Sequence, residues 1–254
     1  MNETMIHNQA INHAVKRIPV MEIFGPTVQG EGMVIGQKTM FVRTAGCDYS
    51  CAWCDSAFTW DGTGKDEIAM MSAADIMAEL RRVGGSRFSH VTLSGGNPLL
   101  LAALGELVRE LHEAGMTVAV ETQGSRWQDW LLDIDEVTLS PKPPSSGMKT
   151  DWGKLDEIVS RLSGADRSFS LKVVVFNDED FEYAVSVHER YPGVPFYVQT
   201  GNDDLTETDH AKLLRKSMAQ YEQLVERTMA SDKLRHVRVL PQLHMWLWGN
   251  KRGV

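Results

Sequence analysis

The amino-acid sequence predicts an α/β fold in which crossover helices cover a mostly parallel β-sheet. Short β-branched runs alternate with amphipathic segments, and strands that alternate with helices form parallel sheets through right-handed crossovers. Several runs are apolar at consecutive positions, as expected when both faces of a sheet are covered. The chain has 254 residues, 43% hydrophobic and 24% charged, which is ordinary globular composition. We expect one domain over residues 1–254, with residues 1–17 as a flexible or peripheral N-terminal extension.

Eight strands are predicted, each a short run rich in β-branched, aromatic or other apolar residues. In chain order they cover residues 20–24, 39–43, 91–94, 117–121, 136–140, 171–176, 196–199 and 236–240. Functional groups should follow these strands, because open parallel sheets and barrels carry their sites at the carboxyl ends of the strands.

Five helices are predicted from apolar residues at helical spacing, bounded by capping residues and glycines. They run from Ser72 to Gly84, from Leu101 to Gly115, from Leu155 to Gly164, from Asn177 or Asp178 through Val185, and over about 208–229.

The charge and hydropathy of the chain argue against two classes of partner. A net charge of −8 is unsuited to gripping a nucleic-acid backbone. No apolar run approaches the ~18–20 residues of a membrane helix, and residues 1–17 lack the apolar segment of a signal peptide. We therefore expect a cytoplasmic protein that binds neither nucleic acid nor membrane.

The cysteines are the first strong functional signal. All three lie in the segment GCDYSCAWCDS, where Cys47, Cys51 and Cys54 have the spacing C-x3-C-x2-C. Cysteine thiolates are the usual ligands of iron–sulfur clusters, and four are normally needed. Three would leave one iron of a four-iron cluster open, and an open metal position is typical of catalytic metal sites. A three-cysteine, one-histidine zinc site and plain structural cysteines are alternatives. The first lacks a histidine nearby in sequence, and the second does not explain the clustering.

A glycine-rich turn, Ser94-Gly95-Gly96-Asn97-Pro98, follows the third predicted strand. Glycine allows the backbone to approach a ligand closely. The cysteine spacing, the aromatic Trp53 before the third cysteine and this turn together resemble the radical S-adenosylmethionine superfamily. The turn there usually ends in an acid and proline. Asn97 replaces the acid, and an amide can accept a hydrogen bond but carries no charge.

Further segments narrow the resemblance. They are EIFGPTVQGEG (22–32), FVRTAGC (41–47), CDSAFTWDG (54–62), ETQG (121–124), SPKPPS (140–145), VQTGNDD (198–204) and RVLPQLH (238–244). Together they resemble the 7-carboxy-7-deazaguanine synthase family over roughly residues 18–254. We expect the sheet to form an incomplete, TIM-like β/α barrel whose open side covers a small substrate.

The resemblance implies that 6-carboxy-5,6,7,8-tetrahydropterin is converted to 7-carboxy-7-deazaguanine with release of ammonia, in queuosine and 7-deazapurine biosynthesis. It implies a 4Fe-4S cluster, Mg2+ and S-adenosylmethionine, whose radical abstracts a substrate hydrogen and is then regenerated. It further implies a flavodoxin-like or other low-potential reductant and a homodimer. Two alternatives remain: an activating enzyme that generates a glycyl radical on a partner protein, and a non-catalytic iron–sulfur or zinc module. The activating enzyme shares the cysteine spacing but does not account for the QGEG, ETQG and QLH elements.

The resemblance also implies residue roles, position by position. The metal ligands are Cys47, Cys51 and Cys54 for the cluster and Ser56 for magnesium. The residues that bind S-adenosylmethionine are Trp53, Cys54, Asp55, Gly96, Ser140, Pro141, Lys142 and Gln199. The residues that bind substrate are Val28, Gln29, Gly30, Glu31, Arg43, Ser94, Glu121 and His244. No catalytic side chain is assigned beyond the cluster and the cofactor radical.

These roles suit the chemistry of the side chains. The planar guanidinium of Arg43 fits a carboxylate bidentately. Ionised Glu31 and Glu121 accept hydrogen bonds, as the N–H groups of a pterin require, and Gln29 can pair with its amide edge. The hydroxyl of Ser56 is an oxygen ligand of the kind that magnesium takes.

The C-terminal segment departs from the family pattern. The family often closes its pocket with residues shortly after the histidine, whereas this chain continues over residues 245–254, so that part of the pocket cannot be transferred. From Lys233 onward there are two lysines and three arginines and no acid. This basic stretch is either a solvated tail or a docking surface for an acidic electron donor.

Overall fold

A nine-stranded sheet forms the centre of the protein in the computed structural model, which describes residues 16–254. The strands are β1 (Ile18–Val28), β2 (Lys38–Thr44), β3 (Ala69–Met71), β4 (His90–Gly95), β5 (Thr117–Thr122), β6 (Glu136–Leu139), β7 (Phe169–Val175), β8 (Phe196–Thr200) and β9 (Val237–Leu240). Residues 1–15, most of the expected N-terminal extension, lie outside the described residues.

All eight predicted strands are confirmed, with ends that differ by a few residues. The prediction missed β3, a three-residue edge strand that pairs antiparallel with the start of β1. Three residues are too few to show the period-two alternation that marks a strand.

The strand order is β3-β1-β2-β4-β5-β6-β7-β8-β9. From β2 to β9 every neighbouring pair is parallel, and β1 pairs antiparallel with both β2 and β3. The end strands β3 and β9 do not pair, so the described sheet is open, as predicted for an incomplete barrel. Because the parallel strands run the same way, their carboxyl ends meet at one rim.

Within residues 16–254, six α-helices accompany the sheet. They are α1 (Ala73–Gly84), α2 (Leu104–Glu113), α3 (Trp152–Gly164), α4 (Asp178–Arg190), α5 (His210–Ala230) and α6 (Leu243–Trp248). The five predicted helices are confirmed. Ser72 caps α1 in a capping box with Asp75, and Asn177 caps α4 by accepting a hydrogen bond from the backbone N–H of Asp180.

Two helix predictions need correction. The second helix begins at Leu104 and not at Leu101, because Leu101 is extended after a 3-10 turn at Pro98–Leu100. The prediction also missed α6, whose six residues are shorter than the window over which helical periodicity shows.

The core lies between the sheet and the apolar faces of the helices. Leu80 of α1, Leu107 of α2, Ile158 of α3 and Val173 of β7 have no exposed surface. Burial of a leucine-sized side chain contributes about 1.5–3 kcal/mol, so this packing holds the strands and their carboxyl-terminal loops in register.

No helix among residues 16–254 combines the length and apolar character needed to cross a membrane.

Candidate active site

A cavity of about 300 Å³ opens at the carboxyl-terminal rim of the sheet, within the range of small-molecule sites. Its wall contains most of the residues that the sequence singled out. The predicted residues in the wall are Val28, Gln29, Gly30, Glu31, Arg43, Cys47, Cys51, Trp53, Cys54, Asp55, Ser56, Ser94, Gly96, Glu121, Lys142 and His244.

The cysteine loop and the glycine-rich turn meet through their backbones. The loop follows β2, and the turn follows β4, its neighbour in the sheet. The N–H of Asn97 donates to the carbonyl of Gly46 at 2.8 Å. A Cβ at Gly96 would lie only 2.1 Å from the same carbonyl oxygen, so no larger residue fits there. The cysteine loop and the glycine-rich turn, about 40 residues apart in the sequence, therefore pack directly against each other.

All three cysteines are unpaired and face the cavity. Burial raises the pKa of each thiol, and that of Cys51 to about 11. Hydrogen bonds already reach two sulfurs: Cys47 accepts one from the backbone N–H of Tyr49 at 3.4 Å, and Cys54 one from the indole N–H of Trp60 at 3.4 Å. Such bonds are typical around cluster sulfurs, and a coordinating metal deprotonates the thiols.

The zinc alternative needs a histidine among the cysteine ligands. In the described part of the chain, the histidine that lines the cavity is His244, and its donor atom lies within 4.8 Å of those of Glu31 and Asp55.

Asn97 is a fully buried structural residue. Its amide nitrogen donates to Asp48 at 2.9 Å and to the hydroxyl of Ser125 at 3.0 Å. Its oxygen accepts from the backbone N–H of Leu99 and the hydroxyl of Thr122. No group of Asn97 is left for a ligand, and the acid beside the turn is Asp48.

Asp48 carries the negative charge that Asn97 lacks. Burial disfavours its ionised form, but hydrogen bonds from Asn97 and Ser125 outweigh that effect and lower its pKa. Gln123 of the ETQG element donates to Asp48 at 2.8 Å and to the sulfur of Cys47 at 3.6 Å. Asp48 and Gln123 therefore hold the first cysteine in place.

The remaining predicted cofactor residues divide into two groups. The ring of Trp53 packs against Phe176, with centroids 4.9 Å apart, and the Lys142 ammonium lies 5.9 Å from the Trp53 centroid. Three residues do not reach the wall of the cavity: Ser140 and Pro141 are buried behind Lys142, and Gln199 is fully buried. Gln199 accepts a hydrogen bond from the N–H of Gly32 at 3.4 Å, so it supports the loop after β1.

Arg43 and Ser94 are register partners at the ends of β2 and β4. The Nε of Arg43 and the Oγ of Ser94 are buried polar atoms without a hydrogen-bond partner among the described residues. The Arg43 Nη1 lies 2.7 Å from Glu22, and its guanidinium lies 5.2 Å from the ring of Phe24. Both residues line the cavity, so a ligand there would supply the partners that buried polar atoms in native proteins nearly always have.

Glu31 and Glu121 meet at Lys172 of β7. The Lys172 ammonium donates to both carboxylates, and the side chain is only 1% exposed. Burial disfavours ionised Glu31, but the charges of Lys172 and then His244 outweigh it, and its pKa lies well below the usual range. The sequence analysis missed Lys172. A single charge inside the run LKVVV was the signal that could have found it, because charged residues are rarely fully buried without a partner.

His244 approaches the loop after β1 because Gly30 has no side chain. A Cβ at Gly30 would lie 2.5 Å from the Nδ1 of His244. Glu31, Asp55 and His244 place one donor atom each within 4.8 Å of the others, and the Ser56 hydroxyl donates to Asp55 at 3.0 Å. Carboxylate and hydroxyl oxygens are the donors that magnesium takes, so Ser56 and Asp55 together fit that ion.

The C-terminal segment also lines the cavity, which the sequence analysis left open. Residues 249–254 form part of its wall. Arg252 donates to Glu22 at 2.9 Å, pairs with Glu67 at 2.9 Å and stacks 3.8 Å from the centroid of Phe58. Arg252, one of the five basic residues of the tail, is therefore held against the pocket by its own chain.

Comparison with known proteins agrees with this geometry. The Radical SAM superfamily profile matches residues 41–141. The 7-carboxy-7-deazaguanine synthase of Bacillus cereus is 62% identical over 94% of this chain and 100% of its own length, and that of Bacillus subtilis is 60% identical over 94% and 99%. The crystal structure of QueE from Escherichia coli covers 90% of this chain and 95% of that one at a TM-score of 0.66 and 24% identity, which supports the fold. The chain therefore belongs to the 7-carboxy-7-deazaguanine synthase family of radical SAM enzymes.

Proposed function

We propose that this chain converts 6-carboxy-5,6,7,8-tetrahydropterin to 7-carboxy-7-deazaguanine with release of ammonia. The observation that carries the proposal is the pair of unpartnered buried atoms, Arg43 Nε and Ser94 Oγ, in the same cavity as the three cysteines. A guanidinium beside a hydroxyl suits a substrate carboxylate, since arginine binds carboxylates through two parallel N–H groups.

The residues that would hold the cofactors lie on one side of the cavity. Cys47, Cys51 and Cys54 would ligate a 4Fe-4S cluster, and the open iron and the backbone at Gly96 would receive S-adenosylmethionine. When bound, these groups supply hydrogen-atom abstraction, chemistry that no protein side chain provides alone. Lys142 adds a positive charge that suits the carboxylate of the methionyl group.

The residues on the other side would bind and orient the pterin. Arg43 and Ser94 hold its carboxylate, while Glu31 and Glu121 accept its pyrimidine N–H groups. The Ser56 hydroxyl provides a magnesium ligand beside Asp55. Residues 249–254, held by Arg252, cover the site and limit the entry of water, which strengthens the polar contacts inside.

Further features of the proposal rest on the family resemblance and the sequence. We infer one radical S-adenosylmethionine domain, a homodimer, a flavodoxin-like or other low-potential reductant, and a cytoplasmic setting, where unpaired thiols stay reduced. The glycyl-radical activating enzyme is disfavoured, because the synthase relatives match 94% of this chain at 60% identity or more.

The test is an anaerobic assay of reconstituted protein with S-adenosylmethionine, magnesium, a reductant and the carboxypterin. We expect 7-carboxy-7-deazaguanine and ammonia in equal amounts, with many turnovers for each S-adenosylmethionine. The control omits the pterin and should give no product. Absence of pterin binding by the intact holoenzyme would refute the proposal.

A further inference from the structure

Lys172 is the one charged residue of β7, a strand that is buried along its whole length. The other described residues of β7 are buried as well, and the Lys172 side chain is 1% exposed. Burying an ammonium group without a partner costs a large amount of free energy, so a buried lysine needs partners of opposite charge. Those partners are the carboxylates of Glu31, after β1, and Glu121, on β5.

Stability alone does not account for this arrangement. Replacing a buried ion triad by apolar side chains of similar volume is often neutral or stabilising. Position 172 lies among Leu171, Val173 and Val174, where a methionine or leucine would pack well. The charge is therefore explained better by what it does to the two glutamates, both of which line the cavity.

The hydrogen bonds leave one carboxylate oxygen for a ligand. Lys172 donates to Oε2 of Glu31 and to Oε1 of Glu121, and the amide of Gln242 donates to Oε1 of Glu31 at 2.9 Å. In the described part of the chain, Oε2 of Glu121 accepts no hydrogen bond. Lys172 thus sets the orientation of both carboxylates, and one oxygen remains for a donor in the cavity.

We propose that Lys172 is a positioning residue that orients the carboxylates of Glu31 and Glu121 toward the amino-pyrimidine edge of the pterin. This inference rests on the proposed function and deepens it. The free Oε2 of Glu121 is the first acceptor for a ring N–H or amino group, because an ionised carboxylate accepts hydrogen bonds and donates none.

The charges around the pair determine its pH behaviour. His244 of α6 lies 3.9 Å from Glu31, Asp55 lies 4.0 Å from His244, and Gln242 is neutral. Burial disfavours charged Lys172, but Glu121 and then Glu31 outweigh that effect and raise its pKa. Lys172 therefore stays charged in its buried site, and Glu31 stays ionised to well below neutral pH.

Removal of Lys172 would reverse this balance. Two half-buried carboxylates would then share one site without the ammonium between them, and the pKa of one is raised in such pairs. A protonated glutamate offers an O–H where the pterin also presents N–H donors. Pterin affinity should therefore be lost as the pH falls through that raised pKa, and each pH unit below it corresponds to about a tenfold loss.

The experiment measures pterin affinity by anaerobic titration of the holoenzyme between about pH 6 and about pH 8.5, the range over which a raised carboxyl pKa would appear. We expect the wild-type affinity and that of the surface control Lys154→Met to vary little. In Lys172→Met the affinity should fall at least about tenfold from the upper to the lower pH. The S-adenosylmethionine affinity, measured in the same samples, should not change with pH. An unchanged value shows that the variant is folded.

The double variant Lys172→Met/Glu31→Gln completes the test, because positions 31, 121 and 172 together then carry the same net charge as in the wild type and no second carboxylate is left without its cation. Its pterin affinity should be weaker than that of wild type and independent of pH. A flat pH profile in Lys172→Met, or wild-type affinity in the double variant, would overturn the role of Lys172. Failure of the wild-type enzyme to bind the pterin at any pH would instead overturn the proposed function.

Discussion

Arg43→Ala tests the recognition of the substrate carboxylate most directly. Arg43 is a cavity residue whose side chain is 18% exposed, and its Nε has no partner in the described structure. A hydrogen bond to a charged group contributes about 1.5–3 kcal/mol, and about 1.4 kcal/mol is tenfold in affinity. We therefore expect the variant to bind the carboxypterin about 10- to 100-fold more weakly.

We expect Arg43→Ala to lower the free energy of unfolding by less than the loss of a buried ion-pair partner usually does. The partner of Arg43, Glu22, keeps a second cation, because Arg252 donates to it at 2.9 Å. Glu22 therefore does not become a buried carboxylate without a cation. Breaking a buried ion pair in that way would cost about 3–5 kcal/mol. The loss is limited to the contacts of the guanidinium with Phe24 and Phe58, about 1–2 kcal/mol of unfolding free energy.

The assay is anaerobic titration of each holoenzyme variant with the pterin and, separately, with S-adenosylmethionine. Arg43→Lys should recover part of the pterin affinity, because lysine keeps the charge and loses the planar fork. Arg82→Ala serves as the control, since Arg82 is exposed and pairs with Glu79 on α1. Unchanged pterin affinity in Arg43→Ala, or a selective loss of S-adenosylmethionine binding, would refute this division of the pocket.

Three further changes test other parts of the site. Cys51→Ala should bleach the brown anaerobic protein and lower its iron content from about four per chain, whereas zinc without sulfide in the native protein would contradict the cluster. Ser56→Ala should raise the magnesium concentration needed for half-maximal activity and leave cluster absorbance unchanged; an identical magnesium titration would show that Ser56 only orders the turn at Asp55. Arg252→Ala should raise the KM for the pterin about 3- to 10-fold, because residues 249–254 lose two ion pairs and a stacking contact. An unchanged KM would mean that the segment does not cover the bound substrate.

Local patterns were sufficient for the order of the main elements and for the cysteine loop. Parallel strands buried on both faces leave continuous apolar runs, and α1, α3, α4 and α5 each begin at a residue whose side chain caps the helix, as Ser72 does for α1. The three cysteines lie close together in sequence, so their common role could be recognised before any contact was known. The sequence did not predict the short elements β3 and α6, because three or six residues are too few to show a strand or helix period in the apolar positions.

Only the tertiary structure decided which side chains share the cavity and what they do to one another. It buried Gln199 beneath the loop after β1, paired Asn97 with Asp48, and brought Lys172 between Glu31 and Glu121 across 141 and 51 positions of the chain. The charge state of Glu31 depends on these contacts, because burial and a neighbouring ammonium shift a carboxyl pKa in opposite directions. A sequence states which groups can ionise, but the energy of an ion pair depends on distance and burial, which chain folding alone determines.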